Sequence, residues 1–140
     1  MRTLHMGLRV ADVARSLAFY TALGYEVLGD VPVTEFGSLT MLKLPEDDFV
    51  TLELVHDPAR VLLEQSGPHH FVISVDAVHE TVAQLASNGV RAEPPSSPDN
   101  SDDFWTAWLT DPDGHRIELV QWPPGHPEGM TRADLAGPGD

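Results

Sequence analysis

The chain has 140 residues, enough for one compact unit with a real core and too few for two conventional domains. A formal charge of −14 and a single lysine, Lys43, exclude the clustered cations that phosphate-backbone binding needs, so no nucleic-acid partner is expected. There is no cysteine, which removes disulfides, thiolate nucleophiles and thiolate metal ligands and leaves His, Asp and Glu to hold any metal.

Taken in chain order, the pattern opens with a strand over residues 3–10. No apolar run approaches the roughly 20 residues that cross a bilayer, and Met1-Arg2-Thr3-Leu4-His5 has no signal-peptide character, so no membrane partner and a cytoplasmic location are expected. Asp12 is suited to cap a helix over residues 13–23, and Gly24 stands where a left-handed residue would end it. Three short strands follow, at residues 25–31, 36–43 and 49–55, with Pro45-Glu46-Asp47-Asp48 as a turn between the last two. Residues 56–67 form a link. A strand over 69–75, Asp76 as a second helix cap, a helix over 78–88 and Gly89 come next. Strands at 90–93, 103–110 and 115–121 complete the pattern, the last two joined by the turn sequence Asp111-Pro112-Asp113-Gly114. Residues 123–140, dense in Gly and Pro, read as an arm or a disordered tail.

The order of elements repeats, and so do the residues. Displaced by 65 positions, the sequence lays His5 on His70 and Glu53 on Glu118, together with Val10 on Val75, Val13 on Val78, Ala18 on Ala83, Gly24 on Gly89, Leu54 on Leu119 and Val55 on Val120. The expected fold is therefore α+β: a single domain over residues 1–122 made of two βαβββ modules, at 1–57 and 67–122.

Alternation along the strands then sorts the polar residues onto faces. His5, Gly7 and Arg9 point one way, while Met6, Leu8 and Val10 point toward the helix; His70, Val72 and Ser74 likewise oppose Phe71, Ile73 and Val75. Glu53 and Glu118 fall on the same helix-free face as the two histidines. A charged Glu flanked by Leu and Val is costly to bury unless it is paired or coordinates a cation. His5, Glu53, His70 and Glu118 are therefore the candidate ligands of one divalent metal. His69 falls outside the repeat register with its side chain toward the helix, and His56, His79, His115 and His126 are assigned to surface or loops. Trp105, Trp108 and Trp122 are candidates to wall a substrate cavity, or plain core.

The stretches Leu4-His5-Met6-Gly7-Leu8-Arg9-Val10, Ser16-Leu17-Ala18-Phe19-Tyr20, Leu52-Glu53-Leu54, His70-Phe71-Val72-Ile73-Ser74-Val75-Asp76 and Asp111 through Leu119 resemble the vicinal oxygen chelate superfamily, and within it glyoxalase I (lactoylglutathione lyase). The two-His, one-Glu pattern of related dioxygenases and thiol transferases lacks a counterpart of Glu53, and methylmalonyl-CoA epimerase has glutamine there, so the full quartet is most similar to glyoxalase I. The resemblance implies isomerisation of a thiol hemithioacetal of a 2-oxoaldehyde through an enediolate, with Ni²⁺, Co²⁺ or Zn²⁺ as the metal. It implies that Glu118, with Glu53 as second choice, moves the proton, and that Arg9 clamps a substrate carboxylate. The bland alternative for Arg9 is an ion pair with a neighbouring acid. It further implies a homodimer with each metal held by His5 and Glu53 of one chain and His70 and Glu118 of the other. In residues 94–103, three aspartates replace the Gly-rich, often basic loop of glutathione users, and the Arg-heavy composition typical of high-GC genomes allows another low-molecular-weight thiol cosubstrate such as mycothiol. Two other readings are an epimerase, extradiol dioxygenase or thiol transferase of the same superfamily, and a metal-free small-molecule-binding protein like the bleomycin-sequestering members.

Overall fold

A computed structural model describes residues 3–60 and 70–135. The first module contains β1 (Met6–Arg9), α1 (Val13–Leu23), β2 (Glu26–Thr34), β3 (Gly37–Lys43) and β4 (Leu52–His56). The second contains β5 (His70–Ser74), α2 (Val78–Ser87), β6 (Trp105–Thr110) and β7 (Arg116–Gln121). A short 3₁₀ helix, Arg132–Leu135, follows. His69 and most of the expected link lie outside the described residues.

Each module is one sheet with one helix on it. The first sheet runs β1-β4-β3-β2 and the second β5-β7-β6, and in both the first strand pairs parallel with the last while the remaining pairs are antiparallel. Both β1 and β5 therefore lie at a sheet edge. Apolar residues on the helix side of the strands meet the apolar faces of the helices in one cluster that includes Leu8, Tyr20, Leu42, Leu54, Ile73, Leu109, Ile117 and Leu119. Leu8 and Val10 are buried as the alternation requires, whereas Met6, at the start of its strand, is exposed.

Helix boundaries follow local chemistry. The Asp12 carboxylate accepts from Arg15 N at 3.0 Å, and Gly24 takes φ 125° to close α1. The expected cap at Asp76 does not form. Ala77 holds the cap position without a side-chain bond, and the Val78 amide is satisfied instead by Gln121 Oε1 at 2.9 Å. The repeat register accounts for this, since it lays Asp12 on Ala77 and not on Asp76. At the start of β3, Gly37 has φ 105°, and a Cβ there would collide with the His56 carbonyl, so glycine alone suits the close approach of β4.

The expected strand at residues 90–93 is also absent. That segment makes one bond to β6, from Glu93 N to Trp108 O at 2.8 Å, and a single bridge between Ser96 and Thr106. Pro94 and Pro95 stand between these two points without amide hydrogens, so no continuous ladder can form. The second sheet is left with three strands.

The modules are joined through the turn that links β6 to β7. Asp113 accepts from Ala11 N (3.1 Å), Arg15 Nη2 (3.3 Å) and Ser16 Oγ (3.2 Å), all at the N-terminus of α1. Asp111, 4% exposed, accepts from the buried Tyr20 hydroxyl at 2.7 Å, and its other oxygen accepts from the amides of Asp113 and His115. Burial, reinforced by Asp111, drives the Tyr20 phenol pKa far upward, so the phenol stays a hydrogen-bond donor. Tyr20→Phe should destabilise the fold by about 1.5–3 kcal/mol, because a buried carboxylate oxygen loses its donor. Urea unfolding of the variant measures this, and an unchanged midpoint would count against Tyr20 as a structural tie.

Candidate metal centre

Parallel pairing of first and last strand places each His near its Glu. The register sets Gly7 against Glu53 and Val72 against Glu118, so His5 and His70, two residues earlier on the same faces, reach their glutamates from equivalent positions. His5 Nε2 lies 3.4 Å from Glu53 Oε2, and His70 Nε2 lies 3.7 Å from Glu118 Oε2. In each pair the imidazole is about one-third exposed and the carboxylate about one-fifth. Neutral imidazole nitrogen and carboxylate oxygen suit a borderline divalent cation, and two such pairs would supply four donors and offset its charge. Among the described residues, however, no three His, Asp or Glu side chains gather within one chain. The chain builds two matched half-sites and does not close them into a quartet.

Arg9 ends β1 on the His5 face, and its Nη1 is buried with no hydrogen-bond partner among the described residues. An unsatisfied guanidinium nitrogen favours an anionic acceptor. Gly7, between His5 and Arg9, presents no side chain, and a Cβ there would crowd Val55 Cγ2 at 3.3 Å. A cleft of about 820 Å³ opens between the modules, with His5, Met6 and Tyr25 on one side and His70, Phe71 and Leu85 on the other.

The aromatic candidates divide. Trp108 lies against His70 with centroids 5.1 Å apart, whereas Trp105 packs on the core and meets His79 at 4.5 Å. Trp122 stacks between Phe104 (5.1 Å) and His126 (4.3 Å), about 13 Å along the strand from Glu118. Histidines assigned to surface or loops also prove to be tied. His56 ends β4 and bonds the Val10 carbonyl at 3.2 Å, while His115 bonds the Arg9 carbonyl at 3.0 Å.

Residues 123–135 carry turns and the short 3₁₀ helix Arg132–Leu135; residues 136–140 lie outside the described part. His126 Nδ1 faces the Pro127 carbonyl and Nε2 the Asp134 carboxylate, both at 2.6 Å. Both partners only accept, so the ring bonds both when it is an imidazolium. Asp134 also accepts from Thr131 N and Oγ1, and the Thr131-x-x-Asp134 spacing is a capping-box type of signal legible in the sequence.

The model of the Glyoxalase/Bleomycin resistance protein/Dioxygenase superfamily matches residues 2–119, and the chain belongs to that superfamily. It is 30% identical over 125 residues to the lactoylglutathione lyase of Salmonella typhimurium, covering 86% of this chain and 93% of that one. Among solved structures it is similar to the trypanothione-dependent glyoxalase I of Leishmania major, with 34% identity, a TM-score of 0.66 and 86% of both chains covered. A glyoxalase I mutant from Zea mays gives a TM-score of 0.72 at 27% identity, covering 87% of this chain and 46% of the maize chain. The paired-module architecture, βαβββ followed by βαββ, is thus the fold of this superfamily.

The arm carries a pH prediction. Hydrogen bonding to Asp134, then to the Pro127 carbonyl, raises the His126 pKa, and bonding to His126 and Thr131 holds Asp134 at about 2. The His126 contribution is complete below its ordinary value near 6.5 and is lost as pH rises through the raised value. The Asp134 contribution is present above its ordinary value and lost as pH falls through about 2. Hydrogen-exchange protection factors at residues 126–135, taken against the intrinsic rate at each pH, should fall on the alkaline side of that window, and His126→Gln should abolish the transition. Protection factors in the parent chain that stay constant through the window would contradict the His126–Asp134 tie.

Proposed function

We propose that the chain is a metal-dependent lyase of the glyoxalase I type, acting on the thiol hemithioacetal of a 2-oxoaldehyde. What carries the reading is the matched pair of His–Glu half-sites, 3.4 and 3.7 Å, at repeat-related positions on the helix-free faces of both sheets. The 30% identity to a lactoylglutathione lyase across 86% of this chain supports it. His5, Glu53, His70 and Glu118 would hold one divalent ion, Ni²⁺, Co²⁺ or Zn²⁺, whose chemistry is Lewis-acid polarisation of two vicinal substrate oxygens.

The chain's own residues supply the rest. Glu118, with Glu53 as its repeat-related alternate, takes the proton from the carbon beside the carbonyl and returns it to the neighbouring carbon, a transfer between two positions within reach of one carboxylate. Arg9, with its buried unpaired Nη1, orients the substrate through a carboxylate. The loop that precedes β6 is anionic. There Asp99, Asp102 and Asp103 flank the segment bridged to Thr106, and bonds from Ser101 and Ser97 hold the Asp99 carboxyl below its usual range. Closed over the site, such a loop would disfavour an anionic tripeptide and suit a less charged thiol such as mycothiol.

Elemental analysis of the purified protein, followed by methylglyoxal turnover with glutathione and with mycothiol, tests the reading. Protein carrying no bound divalent metal and showing no thiol-dependent turnover would end it. Glu118→Gln should abolish turnover, by on the order of 10²–10⁴-fold, while retaining substantial metal; near-normal turnover would remove Glu118 as the base.

Because each chain holds two half-sites and both β1 and β5 present free edges, we infer a homodimer in which the first module of one chain completes the second module of its partner. Light scattering should give twice the chain mass. Mixing the inactive variants His5→Ala and His70→Ala should restore part of the activity, because one of the two sites in a mixed dimer then contains all four donors. A monomer that retains metal and activity would overturn the shared arrangement.

A further inference from the structure

The two halves match at His and Glu but differ in what stands beside them. Opposite Glu53, β3 places Met41; opposite Glu118, β6 places Trp108. The Trp108 ring lies 5.1 Å from His70 at an interplanar angle of 72°, an edge-to-face contact. The Arg116 guanidinium carbon lies 5.1 Å from the centroid of the Trp108 ring, over its face. Arg116 in turn donates from Nη1 (2.9 Å) and Nη2 (3.2 Å) to the two carboxylate oxygens of Glu93, and from Nη1 to Thr110 Oγ1 at 3.3 Å. Glu93 is itself fixed, because its amide donates to the carbonyl of Trp108. Strand register sets His70 beside Arg116 and Glu118 beside Trp108, so these four residues occupy neighbouring positions on one face.

A planar fork bonded at two points is held in orientation as well as in place, and it lies over the indole. The indole is thereby confined between the guanidinium and the imidazole. An imidazole that ligates through one nitrogen needs its ring plane set, and the groups around a ligand commonly do that work. We propose that Trp108, held by Arg116 and Glu93, is a positioning residue that fixes the His70 imidazole for metal binding. The second half-site is then the pre-set one, and the first, with the flexible Met41 in the corresponding place, adapts to it. This rests on the metal-site reading given above.

Co²⁺ titration of the full-length protein, read by competition with a chelating dye and by the visible absorption bands of bound Co²⁺, tests the proposal. Trp108→Leu should weaken Co²⁺ binding by about tenfold and shift the bands, Trp108→Phe should recover most of the loss, and Glu93→Gln should give a smaller loss in the same direction. Trp105→Phe, away from the half-site, should change neither quantity. In metal-free protein the His70 ring-proton resonances should move in both Trp108→Leu and Glu93→Gln. Should Trp108→Leu fail to fold, Glu93→Gln carries the test, since it alters only a surface ion pair. Wild-type affinity, bands and His70 resonances in Glu93→Gln and Trp108→Leu would overturn the positioning role. Wild-type protein that binds no Co²⁺ would overturn the metal-site reading and this proposal together, a result distinct from unaltered variants.

Discussion

The two modules of this chain depend on one turn. Asp111 and Asp113, two residues apart, send their carboxylates into α1 of the other module: Asp113 takes up donors at the helix start, and Asp111 takes the hydroxyl of Tyr20 two turns further along. Each module buries one face of its sheet under its own helix within one shared apolar cluster, and non-directional apolar contact leaves the exact relation between the modules to be set by polar bonds. A buried carboxylate costs several kcal/mol unless every oxygen is satisfied, so this contact tolerates little slippage. The His115 bond to the Arg9 carbonyl extends the same contact to the end of β1, beside the proposed carboxylate clamp. The polar residues of that turn therefore hold the half-sites in a defined relation while standing away from both.

The parallel pairing of first and last strand explains why the same two residue types recur where they do. In a parallel pair, a residue on one strand shares its face with the neighbour two positions displaced, and side chains as long as His and Glu bridge that step. Each module thus makes a His–Glu pair from one strand connection and needs no loop to do so. Sites built on strands are held more precisely than sites on loops. Loop differences between the modules, such as Pro45 through Asp48 against Asp111 through Gly114, leave both pairs intact.

Much of this was legible in the sequence because a single displacement carried both the fold and the site. His5, Glu53, His70 and Glu118 recur at the 65-residue spacing, and in the structure each His stands within 3.7 Å of the Glu of its own half. The assignments that failed did so where the halves stop being equivalent. Asp76 looked like a cap because it precedes a helix, yet the register assigns the cap to Ala77, and Gln121, distant in sequence, supplies the bond. The strand over residues 90–93 looked equivalent to β2, but Pro94 and Pro95 prevent the ladder. Contacts such as Asp113 to Ser16 and Arg116 to Glu93 join residues far apart in the chain and outside any repeat, so no local pattern announces them.

The departures from symmetry are as informative as the repeat. Had both halves been held to one environment, Met41 and Trp108 would match, and Glu93 would have a counterpart beside the first half-site; its repeat-related position is Leu28, exposed on β2. A cation held by two half-sites needs only one of them pre-set, as the indole beside His70 would do. A substrate, in contrast, has two unlike ends, and a symmetric cage would bind it equally well in either sense. In the proposed site, unlike surroundings for the two His–Glu pairs would let one carboxylate act on the substrate while the other stays a ligand, as pairs of titratable groups in unlike surroundings do elsewhere. The asymmetric elements, Arg9 with a buried nitrogen that has no partner among the described residues and the Trp108–Arg116–Glu93 assembly, are where direction would enter the proposed site, whose His and Glu donors alone have none.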